Sequence, residues 1–344
     1  MNSTFLKDSQ FIIIGGTGQV GHCLVDQIIS GGAEKVFASS VSVQSGTPQD
    51  DLAKTIAHKC LAWGSRVDWF ECDLEKPDSE IRLALDSLSL EKNKNTYVVV
   101  TASYTNVDGC EVDPQKCQKI NVIGTTTVLK WAKERDFRTV FYSSDYVFDG
   151  KKGMYTEDDE VNPLSVYGRS KLQIEQWCKV NDPTALILRT TGVYEYLLGS
   201  KNFVMQMLDL WKNGVQTRIP SDQYANPTWA FELARATLDL LEKQHSGIYH
   251  AAGADFMART EFANLIAASF RIKDAKIQPI LTSELKQKAK RPLKGGLNCA
   301  KAEAALGWKF SDPKVVLSRF AEQSLGKRKD TNVSPSSYDV VSTS

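Results

Sequence analysis

Residues 15–21 read GGTGQVG, preceded by FIII (11–14) and followed by HCLVDQIIS (22–30). An unbroken apolar tetrapeptide fits a strand buried on both faces. The apolar spacing after Gly21 predicts a helix that stops at Gly31-Gly32. A strand that enters a helix through glycines at G-x-x-G-x-x-G spacing leaves few folds open. Gly15 tolerates positive φ in the tight turn, Gly18 lets backbone N–H groups approach a bound group, and Gly21 lets helix pack closely on strand. The helix start then faces its free N–H groups towards an anion, as a dinucleotide pyrophosphate requires.

The rest of the chain keeps the cadence. Strands are predicted at KVFAS (35–39), VDWFECDL (67–74), YVVVTA (97–102), TVFYSS (139–144) and ALILRTTGVY (185–194). Helices are predicted in IRLALDSL (81–88), as one long run from Pro114 to about Glu134, and from near Ser165 through LQIEQWCK. Residues 42–66 read as a polar insertion with a helix in DDLAKTIAHKCLAW (50–63). The alternation predicts an α/β fold: a Rossmann-type doubly wound parallel sheet spanning residues 1–195. Beyond that the rhythm loosens into NFVMQMLDLWKNG, WAFELARATLDLLEK, GIYHAAG and TEFANLIAASF. Residues 196–227 and 254–324 are expected to form a smaller C-terminal α/β substrate lobe, with 228–253 returning to the sheet. The polar, Ser-rich stretch 325–344 is expected to be a disordered tail.

Composition excludes several classes of function. Lys and Arg total 42 against 41 Asp and Glu, so a net charge of +1 gives no field for nucleic acid or an acidic membrane. No run reaches the ~18 apolar residues of a membrane span, and MNSTFLKDSQ does not read as a secretory signal. The seven cysteines are odd in number and contain no C-x-x-C, which fits free thiols in a reducing, cytoplasmic setting. The four histidines show no metal spacing, and His250, ending GIYH, is expected in the core or a pocket.

Two features suggest chemistry. SVYGRSK places Tyr167 four positions before Lys171, on one face of a helix. Chance alone predicts about one Tyr-x-x-x-Lys/Arg match among 11 tyrosines, so context has to decide. A fixed ammonium one turn away is expected to lower a phenol's pKa from ~10 and let it exchange a proton with a carbonyl oxygen. SSDYVFDG leaves the fifth strand at the ligand-binding edge of the sheet, and alternation turns only one of Ser143 and Ser144 into the cleft. At the end of the second strand stand Ser39 and Ser40, where an acid would bind the ribose of NAD. Their hydroxyls favour NADP(H), with NAD(H) also compatible. Asp73 and Leu74, closing the third strand, could meet the adenine, although Asp73 could equally cap the next helix.

With these features placed, the chain resembles the extended short-chain dehydrogenase/reductases, and most closely the dTDP-4-dehydrorhamnose reductase family. The resemblance runs from GGTGQVG to about Trp308. It is carried in order by TNVDGCEVDP, IN (120–121), YSSDYVFDG, PLSVYGRSKLQIE, ILRTTGVY, NF (202–203), QYANPT and RPLKGGLN. It implies Ser144, Tyr167 and Lys171 as the catalytic set, with Lys171 also bonding the nicotinamide ribose. Gly15, Thr17, Gly18, Gln19, Val20 and Gly21 would line the pyrophosphate, with Ala102 and Tyr104 beside the cofactor. Asp145 and Tyr146 match positions facing the sugar, and Asn202 and Arg291 match positions on the substrate side. Arg291 could also be a surface charge fixed by Pro292.

Two positions depart from the family pattern: Gly192 stands where a tryptophan is usual, and Gly295 where serine is. The implied function is NAD(P)H-dependent reduction of a 4-keto-6-deoxy nucleotide sugar. The chain is also similar to the regulatory β subunit of methionine adenosyltransferase, which implies a non-catalytic NADP-binding partner as the alternative. An epimerase or dehydratase ranks last, since SSDY offers only Asp145 as an extra acid. Related proteins pair through the two long helices, whose Val128, Leu129, Trp131, Leu172, Ile174 and Trp177 spread over more than one face. A homodimer is therefore one expectation, and burial against the chain's own sheet the other.

Overall fold

Alternate residues of the first strand point into two different cores. The computed structural model describes residues 3–44, 47–48, 62–324 and 326. Its main sheet has seven strands: β1 (Ser9–Ile14), β2 (Val36–Ser40), β3 (Val67–Glu71), β4 (Asn95–Val100), β5 (Arg138–Ser144), β6 (Leu186–Thr190) and β7 (Gly247–His250). They lie in the order β3-β2-β1-β4-β5-β6-β7, and every neighbouring pair is parallel. Phe11 and Ile13 pack with Leu24 and Ile28 of the helix Gln19–Ser30, and with Leu233 and Leu240 of the helix Ala230–Glu242. Ile12 and Ile14 pack on the other face with Val128, Leu129 and Ile174. A strand covered on both faces cannot use the polar/apolar alternation of a half-solvated sheet, which explains the unbroken apolar runs. The strand order reverses between β1 and β4, and GGTGQVG opens at that switch point.

Several expectations change in detail. The run from Pro114 is continuous but not uniform: α-helix Pro114–Cys117, π-helix Gln118–Gly124, then α-helix Thr125–Lys133. The strand expected through Tyr194 stops at Thr190. Gly192 takes φ 56, and Val193–Tyr194 leaves the sheet to pair with Thr228–Trp229. The helix expected in 50–63 falls outside the described residues but for its last two positions, as does the tail expected at 325–344 but for Gly326. The insertion does show a short antiparallel pair, Val43–Gln44 with Thr47–Pro48.

A third core gathers Tyr194, Val204, Trp211, Trp229, Phe262 and Phe320. It is framed by the helices Phe203–Lys212, Arg259–Ser269 and Pro313–Ser324. A parallel strand pair, Thr217–Pro220 with Ile277–Ile280, was not foreseen. This lobe stands over the carboxyl edge of the sheet. The apolar residues that suggested a pairing face are mostly spent within the chain. Val128, Leu129 and Ile174 are fully buried and Trp131 nearly so, while Leu172 and Trp177 are partly buried against the sheet cores. No described helix is long and apolar enough to cross a membrane.

Candidate active site

The glycine turn is made of backbone packed on backbone. Gly15 has φ 92, and its N–H donates to Ser39 Oγ at 3.0 Å. A Cβ on Gly21 would stand 2.0 Å from the Gly15 carbonyl oxygen, so only glycine lets this helix start so close to the turn. The helix Gln19–Ser30 begins at Gly18 with no side-chain cap, so its first N–H groups remain available to an anion. Gln19 Oε1 is buried with no hydrogen-bond partner, beside the cleft. An uncapped helix start and an orphaned amide oxygen at a glycine turn fit a dinucleotide, with Thr17 and Val20 in the same turn.

The expected contact of Ser39 and Ser40 with a 2′-phosphate is not what the structure shows. Ser39 is 1% exposed and its hydroxyl supports the turn from beneath; Ser40 is buried as well. The residues beyond them at 45–46 and 49–61 lie outside the described set. Asp73 Oδ1 accepts from the Glu75 N–H at 2.9 Å, the local turn foreseen as its other role. Leu74 is buried under Gly124. The Ala102 N–H donates to the Ile14 carbonyl, holding Ala102 against Gly15.

Asn121 fixes the floor beyond β4. Its Oδ1 accepts from the Tyr104 N–H at 2.7 Å and the Ser103 hydroxyl at 3.0 Å. Its Nδ2 donates to the Tyr104 carbonyl and to Ser170 Oγ on the tyrosine-bearing helix. One amide thus ties Tyr104, the π-helix and that helix together. The IN pair was visible in the sequence, but nothing local assigned Asn121 this task.

The helix Val166–Asn181 is capped by Ser165, whose hydroxyl accepts from the Gly168 N–H. Tyr167 and Lys171 share its inner face, with Lys171 Nζ 5.7 Å from the centre of the Tyr167 ring and donating to the Tyr142 carbonyl at 2.9 Å. The Ser144 hydroxyl donates to Asp145 Oδ1 at 2.9 Å and lies beside the Tyr167 phenol, near enough to favour its ionised form. The Ser143 hydroxyl donates instead to Glu175, although both serines border the cleft.

The electrostatics differ from expectation. Burial pushes the Tyr167 phenol above its ordinary value, the nearby Asp145 adds to this, and the Ser144 hydroxyl opposes it. Lys171 is itself desolvated, and burial brings its pKa down to about 8. A buried ammonium beside a buried phenol does not make that phenol acidic. It leaves a neutral hydroxyl that holds its proton.

These side chains open on a cavity of about 410 Å³ between sheet and lobe, lined among others by Gln19, Ser144, Tyr167, Asn202, Arg259 and Phe262. Asp145 is 4% exposed and accepts from Thr191 Oγ1 at 2.8 Å. Burial raises its carboxyl to about 7. Tyr146 stacks edge-on against Tyr167, and burial pushes its phenol up to about 12. Asn202 reaches the cleft, but its amide is committed: Oδ1 caps the helix at Met205 and Nδ2 donates to the Glu195 carbonyl.

Arg291 is not a surface charge. It is 11% exposed, pairs with Asp108 at 3.0 Å, and keeps a buried Nη1 without a partner. Arg259, absent from the sequence-based set, lies in the cleft wall 4.3 Å over the Phe203 ring. Its side chain stays exposed to the open cleft, where crowding by the cleft walls and then the neighbouring Arg291 charge lower its pKa. No described carboxylate pairs with it. Gly295 packs against Asp145: a Cβ there would stand 2.4 Å from Asp145 Oδ2, so the serine expected from the resemblance would need Asp145 to move.

With this geometry in hand, comparison with known proteins is direct. The family model of the RmlD substrate binding domain matches residues 9–325. The chain belongs to that family. The family member dTDP-4-dehydrorhamnose reductase from Aggregatibacter actinomycetemcomitans is 28% identical over 317 residues, covering 88% of this chain and 95% of its own. A solved dTDP-4-dehydrorhamnose reductase from Clostridium acetobutylicum superposes with a TM-score of 0.71 at 28% identity, covering 92% and 99% of the two chains. The Bacillus anthracis enzyme, solved in complex with NADP, shares the fold with a TM-score of 0.72 at 23% identity, covering 92% and 99%. The family read from the motifs is the family found.

Proposed function

We propose that this chain is an NAD(P)H-dependent oxidoreductase that reduces the keto group of a 4-keto-6-deoxy nucleotide sugar, as the relatives' names indicate for them. The observation behind this reading is that Ser144 and Tyr167 line one cleft, with Lys171 one turn behind the tyrosine. Gly15, Thr17, Gly18, Gln19, Val20 and Gly21 would hold the dinucleotide, with Ala102 and Tyr104 along its ribose. NADP(H) is the favoured form, consistent with the NADP complex of the Bacillus anthracis enzyme, and NAD(H) is compatible. A bound reduced nicotinamide supplies the hydride.

The chain's own residues supply the proton and the position. Tyr167 would donate a hydrogen bond to the carbonyl oxygen, and the Ser144 hydroxyl would turn from Asp145 to donate a second. As negative charge develops on that oxygen, the Tyr167 proton moves to it. The raised phenol suits this direction, because it holds its proton until an alkoxide forms. The phenolate left behind is stabilised by Lys171. Asp145 and Tyr146 would orient the sugar, and Arg259 with Arg291 would take the diphosphate, which a guanidinium matches in charge and shape. Six buried free cysteines among the described residues suit the reducing cytosol in which we place the enzyme.

The test is NADPH consumption with dTDP-4-dehydrorhamnose. Tyr167→Phe should lower kcat by about 10²–10⁴-fold while cofactor affinity stays within a few-fold. Normal turnover in that variant removes tyrosine from the mechanism. Tight NADPH binding with no turnover of any 4-keto nucleotide sugar moves the chain to the regulatory reading.

A further inference from the structure

Behind the cleft, a charge pair is sealed into the sheet. Tyr167, Lys171 and Glu175 follow one another at four-residue spacing on one face of the helix Val166–Asn181. Glu175 and Arg189 of β6 are each 3% exposed. Arg189 Nε donates to Glu175 Oε1 at 2.9 Å, and Nη2 to Oε2 at 2.7 Å. Ser143 of β5 donates to the same Oε1 at 2.5 Å. The remaining nitrogen of Arg189, Nη1, meets His250 Nε2 of β7 at 3.4 Å. The other imidazole nitrogen lies 2.9 Å from the Tyr155 carbonyl and donates to it, which leaves Nε2 as an acceptor. Burial brings His250 down to about 3, so it faces Arg189 as a neutral ring. Three adjacent strands and the tyrosine-bearing helix are thus joined through one carboxylate.

Stability does not account for an acid and a base at this spot. A buried ion pair returns about what its desolvation costs, and apolar residues of the same volume often hold a core as well. We infer that Glu175, clamped by Arg189, is a positioning residue for the proton transfer: its carboxylate stands one turn beyond Lys171 on the same helix face and, through Ser143, ties that helix to the strand end that carries Ser144. This inference rests on the roles proposed above for Ser144, Tyr167 and Lys171.

The groups facing Lys171 are few. Tyr167 and Glu175 come from its own helix, the Cys110 and Cys117 thiols from the segment 107–117, and the Phe141 ring and Tyr142 carbonyl from β5. Burial lowers the lysine's pKa, and Cys117, Cys110 and Glu175 oppose that fall. Glu175 is the one carboxylate among them. A lysine that must be charged is active below its pKa and lost above it. Removing the carboxylate charge therefore moves the alkaline loss of activity to lower pH.

The experiment compares the native chain with Glu175→Gln, which keeps the shape, and Glu175→Asp, which keeps the charge. It reads kcat against pH with NADPH and dTDP-4-dehydrorhamnose, and NADPH affinity against pH by fluorescence. The alkaline limb of Glu175→Gln should fall by about one pH unit. Glu175→Asp should keep the native limb at a lower kcat. Equal limbs in all three overturn the inference.

If Glu175→Gln does not fold because Arg189 is left unpaired, Glu175→Gln/Arg189→Met removes both charges and must show a limb shift in the same direction; an unmoved limb overturns the inference. A native chain with no turnover refutes the reductase reading instead. The inference is then decided by NADPH affinity, whose alkaline loss must shift the same way in Glu175→Gln.

Discussion

On the sheet side of the cleft, backbone meets backbone; on the lobe side, side chains meet side chains. Gly21 lies against the Gly15 carbonyl, and Gly15 against the Ala102 backbone. Those atoms belong to a strand and helix pinned in a seven-stranded parallel sheet, so neither partner yields. The opposite wall is made of Asp145 held by Thr191, Arg259 laid over Phe203, and Arg291 paired with Asp108. There the chain runs through two-residue strands and a left-handed glycine at 192. In the proposed reading the sheet side would hold a fixed cofactor and a fixed proton donor. The lobe side is built from side chains that substitution can retune, and Gly192 and Gly295 both stand there.

The largest break in that contrast should come from Gly21→Ala. Its Cβ meets a carbonyl oxygen that cannot rotate away, so the helix must shift off the turn. Overpacking of this kind costs ~3 kcal/mol or more, and the anion site moves with the helix. We expect NADPH affinity to fall by at least about 100-fold and the denaturation midpoint to drop clearly. Native affinity in calorimetry would show that the turn is softer than its packing implies.

Asp145→Asn comes next, and its sign depends on pH. Burial raises the folded carboxyl to about 7, above its unfolded value of ~3.9. Below pH ~4 the group is protonated in both states and contributes nothing to pH dependence. Between the two values the unfolded chain releases its proton first, so the native state loses stability as pH rises. Above about 7 the full penalty is present, on the order of a few kcal/mol. The asparagine variant should therefore be more stable than the native chain at pH 8 and little changed at pH 4, as read by urea denaturation. Equal differences at both pH values would assign Asp145 an ordinary carboxyl.

What was legible in the sequence follows the same division. The glycine turn and the Tyr167–Lys171 face are both properties of short periods in the chain. The parallel sheet covered on both faces follows from the alternation of strands and helices. Contacts across long separations leave no such mark. Asn121 binds Tyr104 17 positions away and Ser170 49 away. Thr191 meets Asp145 across 46 residues.

Arg259 escaped the sequence-based reading because only the fold lays it over Phe203 on the cleft wall. Ser39 misled for the converse reason: a hydroxyl at a strand end reads as available, and only the fold turns it under Gly15. The acidity expected of Tyr167 failed on desolvation, because a pair of residues on one helix face carries no information about how deeply the face is buried.

Arg259→Met separates a ligand-binding cation from a structural one. Its side chain is exposed to the open cleft and pairs with no described carboxylate, so its loss should leave the stability of the fold little changed. If it serves the substrate diphosphate, KM for the nucleotide sugar should rise by about 10–100-fold, the worth of a charge-assisted contact, with NADPH affinity unchanged. A destabilised variant with native KM would place Arg259 in the architecture alone.

The smallest effect, and the sharpest contrast with Gly21, is expected of Gly192→Ala. The nearest atom to its Cβ is the Asn226 carbonyl oxygen at 3.3 Å, so space is nearly sufficient and the cost comes from φ 56. A left-handed alanine costs ~1 kcal/mol, and the short strand pair beyond it can absorb part of that. Stability should fall by about that amount and KM for the sugar nucleotide by no more than a few-fold in either direction, while NADPH affinity stays native. Both residues are glycines in one cleft, yet one is fixed by its neighbours' backbone and the other by its own dihedral. A loss of cofactor affinity in Gly192→Ala would mean that the two walls are mechanically coupled and that their separation into a fixed side and a tunable side is mistaken.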